Sequence, residues 1–82
     1  MLIATLNARV KKQLEKFGLA KKFGKQKDLF ELNPSHPSLN TEKLEPKSVG
    51  LYSFRTGKKY RTIFRIRKGM AEVVHITKHY QI

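Results

Sequence analysis

The side chains that could do chemistry in this sequence are few, and they fall late in the chain. Glu42 lies in a proline-punctuated stretch, Arg55, Arg61 and Arg65 follow on alternating strand positions, and His79-Tyr80 stand close to the C-terminus. A carboxylate, a guanidinium and an imidazole suffice for metal-free cleavage of an RNA phosphodiester. A base takes the proton of the ribose 2′-OH, an acid protonates the departing 5′-oxygen, and a cation holds the charge that builds on phosphorus. Glu42 suits the base, Arg61 the cation and His79 the acid. Arg55 is a second cation on the same strand face, and Tyr80 could stack on a base or position the phosphate. Each also has a plainer role. Glu42 reads as a solvated acid, Arg61 and Arg65 as a wet sheet face, and His79-Tyr80 as a fraying end. His75 reads as a packed histidine opposite Thr62 on a covered face, and His36 as a residue that orders its own loop.

Other chemistries find little support. The chain has no cysteine, which excludes disulfides and thiolate zinc sites. His36, His75 and His79 are too scattered for a metal site, and the four-residue spacing of the last two does not converge in a strand. Nothing matches a P-loop, a dinucleotide fingerprint or a nucleophile elbow. No metal and no cofactor are expected.

Charge points to the partner. Eighteen Lys and Arg against six Asp and Glu give a formal net charge of +12 over 82 residues. Self-repulsion at that density opposes compaction, so a polyanion is the natural partner, and nucleic acid gains further from counterion release. An acidic protein that wraps the basic surface is compatible with this. An anionic membrane is not favoured, because no helix sets aromatic residues opposite a polybasic face. No segment approaches the roughly 20 apolar residues of a membrane span, and the first ten are too polar for a signal-peptide core. A single cytoplasmic domain over 1–82 is expected.

The elements that must position these groups follow from periodicity. Ile3, Leu6, Val10, Leu14 and Phe17 recur at three and four, predicting a helix ended by Gly18 in the left-handed region. A second helix is predicted over 19–32, stopped by Asn33-Pro34. The stretch 33–50, with three prolines, reads as a long loop anchored by Leu39, Leu44 and Val49, and long loops are often functional. After Gly50 the period becomes two. Tyr52 and Phe54 alternate with Leu51, Ser53 and Arg55; Tyr60, Thr62, Phe64 and Ile66 alternate with Arg61, Ile63, Arg65 and Arg67; and Lys68-Gly69 marks a two-residue hairpin. That turn sets Arg65 opposite Glu72, Phe64 opposite Val73 and Arg61 opposite Ile76. The preceding hairpin should pair Arg55 with Arg61 and Tyr52 with Phe64 through a three-residue loop, Gly57 to Lys59. The fold class is α+β, with two N-terminal helices on one face of a C-terminal antiparallel sheet. Arg55, Arg61 and Arg65 line its other face.

The segments NPSHPSLNTEKL, GLYSFRTGKKYRTIFRI and VVHITKHY resemble the RelE/ParE superfamily of bacterial toxins. The closing His-Tyr is most similar to the YoeB branch, whose members cleave mRNA on the ribosome. The resemblance implies a short first strand before the helices, here short or absent. It implies that Glu42 is the base, Arg61 the phosphate ligand, and His79 and Tyr80 the terminal pair. It also implies an antitoxin partner covering the basic face; on the nuclease reading, Arg55 and Arg65 add RNA or phosphate contacts, and Lys11, Lys12, Lys58 and Lys59 grip ribosomal RNA. Two alternatives stay open: a ParE-type toxin that inhibits DNA gyrase by binding, and an inactive member that binds RNA or antitoxin.

Overall fold

The computed structural model describes residues 1–78; His79 and Tyr80, together with positions 81 and 82, lie outside the described residues. Two helices, α1 (Ala8–Lys16) and α2 (Ala20–Leu32), precede a four-stranded antiparallel sheet. Its strands are β1 (Glu42–Lys43), β2 (Leu51–Gly57), β3 (Tyr60–Arg67) and β4 (Met70–Lys78), in spatial order β1-β2-β3-β4. The expected α+β class holds.

Helix α1 begins later than its apolar stripe. The Asn7 side chain accepts the Val10 N–H at 2.8 Å and caps the helix, so Ile3 falls outside it. Ile3 instead forms a single parallel bridge with Ala71 on the outer edge of β4, flanked by Ala71 N–H to Leu2 O and Ala4 N–H to Ala71 O, each 2.9 Å. The first strand is thus reduced to one bridge. The Glu31 carboxylate secures it from α2 by accepting the Ile3 N–H at 2.9 Å. Farther along β4, the Gln13 side chain accepts the Ile76 N–H at 2.8 Å. Gly18 ends α1 at φ +65, a conformation that costs a residue with a Cβ about 1–2 kcal/mol.

The core lies between the helices and one sheet face. Phe54 is fully buried, and its ring centroid stands 5.2 Å from Phe30, 5.8 Å from Phe64 and 6.3 Å from Phe23. Val10, Leu14, Leu39, Val73 and Ile76 complete this layer, with Tyr52 stacked on Phe64 at 5.5 Å. Helix α1 lies against β4 and α2 against β2. Two expected core residues do not join it: Val49 is 58% exposed and Ile66 is 46% exposed.

The stretch 33–50 is more ordered than a loop. It holds two short 3₁₀ turns, Pro37–Leu39 and Lys47–Val49, and the edge strand β1 between them. Two residues cannot display an alternating pattern, which is why periodicity missed β1.

Both hairpins keep their expected central register, and both contain a bulge. Tyr52 pairs with Phe64 and Arg55 with Arg61, but Gly57 then pairs with Tyr60, so the turn is Lys58-Lys59 and Thr56 is the extra residue. The buried Thr56 and Thr62 hydroxyls hydrogen-bond to each other there. Between β3 and β4, Arg65 faces Glu72 and Phe64 faces Val73 as expected, but a bulge follows and shifts every later pair by one. Arg61 therefore pairs with Thr77 rather than Ile76. His75 pairs with Ile63 rather than Thr62, which moves it from the covered face to the open one.

Candidate active site on the open sheet face

Pairing across the four strands builds the open face row by row. One row runs Glu42, Ser53, Ile63, His75, and the next runs Arg55, Arg61, Thr77. A third is Leu51, Arg65, Glu72. Residues directly opposite share a face, so Glu42, Arg55, Arg61 and His75 all project to the side away from the helices.

Arg61 is the centre of this arrangement. It is only 6% exposed, an unusual state for a guanidinium. Its Nε–H donates to Ser53 Oγ at 2.8 Å, and Nη2 donates to the Asn40 carbonyl at 2.5 Å and the Ser53 carbonyl at 3.3 Å. All three acceptors are neutral. Among the described residues no carboxylate lies within ion-pairing distance of Arg61. Burial holds the Arg61 pKa below its ordinary value; Glu42 opposes that shift and Arg55 adds to it. The guanidinium stays cationic near neutral pH, because an arginine does not lose its proton in proteins.

The groups around Arg61 are held by local structure. Asn40 caps the first 3₁₀ turn in the left-handed region at φ +44, a conformation asparagine tolerates. That turn is tied down by the Gln26 side chain, whose Nε2 donates to Ser38 O at 3.3 Å and Arg55 O at 2.8 Å. His36 Nδ1 accepts the Ser38 N–H at 3.2 Å, and Thr41 Oγ1 donates to Pro34 O at 2.7 Å. His36 thus orders its loop. Glu42 follows directly, exposed on β1.

The remaining candidates divide. Arg55 is exposed beside Arg61. Arg65 is engaged by Glu72, with Nε to Oε1 at 2.6 Å and Nη2 to Oε1 at 2.5 Å, so its charge is already partnered. Lys58 and Lys59 form the exposed β2–β3 turn and, with Lys22, rim a groove floored by Phe17 and Tyr60, whose rings stack at 4.8 Å. Lys11 and Lys12 belong to α1 and so to the layer behind the sheet. His79 and Tyr80 lie outside the described residues. Sequence reasoning missed His75 as a residue of the open face, because the bulge that turns it there has no signature. It also missed Ser53 and Asn40. Among the described residues no group of three or more His, Asp or Glu could hold a metal ion. Among the described residues no helix is long and apolar enough to cross a membrane.

A small antiparallel meander backed by two helices is the fold this chain shares with solved structures of YoeB and YoeB/ParE toxins. The YoeB–YefM complex from Staphylococcus aureus superposes with a TM-score of 0.71 at 19% identity, over 98% of this chain and 99% of that one. The YoeB dimer from the same organism gives 0.73 at 19% identity, over 96% and 98%. The YoeB/ParE toxin from Agrobacterium tumefaciens gives 0.72 at 17% identity, over 98% and 100%. At these identities the likeness establishes the fold. No protein-family model and no curated protein matches the sequence.

Proposed function

We propose that this protein is the toxin of a type II toxin–antitoxin system and that it cleaves mRNA on the ribosome without a metal. The observation that carries the reading is Arg61, a buried guanidinium held by neutral oxygens with Arg55 beside it and Glu42 one strand row away. A desolvated cation without a carboxylate partner is costly until an anion meets it, and a phosphodiester fits that need. Glu42 then accepts the 2′-OH proton as O2′ bonds to phosphorus. Arg61 and Arg55 stabilise the phosphorane-like charge. The P–O5′ bond breaks with protonation of O5′ by His79, a role that rests on the resemblance, as does an orienting role for Tyr80. The products are a 2′,3′-cyclic phosphate and a 5′-hydroxyl.

The partners follow from the same surface. The net charge of +12 suits an acidic antitoxin segment, and the S. aureus neighbour was solved with YefM. Lys58 and Lys59, at the end of the hairpin that carries Arg55 and Arg61, are placed to hold ribosomal RNA backbone. Lys11 and Lys12, on the opposite layer, would reach a different segment of it.

Primer extension on programmed ribosomes tests the reading. The wild-type protein should create discrete ends inside the reading frame, and Glu42→Gln, Arg61→Ala and His79→Ala should each abolish them while remaining folded. Ends that persist in all three variants would refute it. An absence of ends with wild type, accompanied by gyrase-dependent DNA breaks, would establish the binding-toxin alternative instead.

A further inference from the structure

The hydrogen bonds of Arg61 consume specific donors, and their count limits how the residue can meet an anion. A guanidinium has five N–H groups. Nε–H is taken by Ser53 Oγ, and the two Nη2 hydrogens are taken by the carbonyls of Asn40 and Ser53. Both forks that involve Nη2, the ones arginine normally offers to a phosphate, are therefore occupied. Only the two Nη1 hydrogens have no acceptor among the described residues. Ser53 is fully buried and fixed between Glu42 and Ile63 in the sheet, and Asn40 is fixed by its 3₁₀ turn. Three rigid oxygens thus set the plane and the tilt of the cation before any substrate arrives.

We propose that Ser53 and the Asn40 carbonyl are positioning groups that lock the Arg61 guanidinium so that it meets the phosphate end-on, through Nη1 alone. The inference rests on the reading of Arg61 as the phosphate ligand. It explains the placement of a second arginine directly across the hairpin: a one-nitrogen contact leaves other phosphate oxygens for Arg55. It also distinguishes this site from a flexible lysine site, since one ammonium cannot bond all three oxygens and still reach outward at a set angle. Holding a charge in place ahead of the reaction raises kcat more than it lowers KM, because the gain appears where charge develops.

The test pairs kinetics with a spectroscopic readout of Arg61 itself. Ser53→Ala removes the Nε acceptor, and Ser53→Thr restores a hydroxyl. Asn40→Gly keeps the left-handed carbonyl, and Asn40→Val disfavours it. On programmed ribosomes, Ser53→Ala and Asn40→Val should lower kcat about ten- to a hundred-fold, the scale of an ångström-sized misplacement, with little change in KM. Ser53→Thr and Asn40→Gly should recover most of it, and thermal melting verifies that each variant folds. By NMR, the Arg61 Nε–H, assigned by its loss in Arg61→Lys, should be protected from exchange in wild type and exposed in Ser53→Ala. Titrating inorganic phosphate should perturb the Arg61 side chain while leaving its Nε–H protected. An unprotected Nε–H in wild type, loss of its protection on adding phosphate, or an undiminished kcat in folded Ser53→Ala would each overturn the proposal. The NMR arm needs no turnover, so a protein that cuts nothing yet shows the protected Nε–H would fail the nuclease reading and keep the locked arginine.

Discussion

Arg55 and Arg61 face each other directly across β2 and β3, two like charges on one sheet face, one exposed and one buried. Like charges in that relationship repel and destabilise a sheet by a few tenths of a kcal/mol. Replacing the exposed partner should therefore leave the fold at least as stable while weakening anion binding. Urea unfolding of Arg55→Ala, with and without inorganic phosphate, tests this. The midpoint without phosphate should hold or rise, and the phosphate-induced increase should shrink.

Binding to the native state alone stabilises it by mass action. A ligand at a hundred times its dissociation constant adds about 2.7 kcal/mol. A short, non-cleavable 2′-deoxy oligonucleotide should raise the melting temperature of wild type by an increment that grows with the logarithm of its concentration. Arg61→Ala should abolish most of that rise, measured by differential scanning fluorimetry at one fixed salt concentration.

Salt should separate grip from chemistry. Lys58 and Lys59 stand exposed at the turn, away from the Arg61 hydrogen bonds. Alanine at each should flatten the log–log dependence of RNA affinity on salt by about one unit per lysine. The cleavage rate at saturating RNA should be unaltered. Equilibrium binding across a salt series, with single-turnover cleavage beside it, measures both.

The aromatic core sets the largest stability effect. Phe54 joins both α2 aromatics to Phe64, so Phe54→Ala should cost about 3–5 kcal/mol, a large share of a small domain's stability. Glu72→Ala breaks an exposed ion pair with Arg65 and should cost less than about 1 kcal/mol. Chemical denaturation of the two variants should rank them in that order, and the second should bind RNA more tightly because Arg65 is released.

The sequence revealed most where a repeating pattern met a turn signal. Lys68-Gly69, with both residues at positive φ, fixes the β3–β4 register from Met70 to Val73, and the Tyr52–Phe64 and Arg55–Arg61 pairs follow from the alternation. Bulges broke the reasoning, because an extra residue carries no local signature. The one beyond Val73 turned His75 to the open face, and Thr56 shortened the first turn. The burial of Arg61 was equally hidden. One of its acceptors is a backbone carbonyl from a turn 21 residues upstream, and any residue type carries a carbonyl. The presence of Glu42, Arg55 and Arg61 could be read from residue type, but what holds Arg61 still could not.

The bridge between Ile3 and Ala71 joins the N-terminal segment to β4 near the other end of the described chain, whereas the ladders β1–β2, β2–β3 and β3–β4 each join sequence neighbours. Local hairpins close quickly, and a contact spanning almost the whole chain carries the largest loop-closure entropy. The meander bearing Arg55 and Arg61 should therefore condense first and the N-terminal segment dock last. During synthesis, that segment emerges early and has to wait for β4 to leave the ribosome before it can find its place.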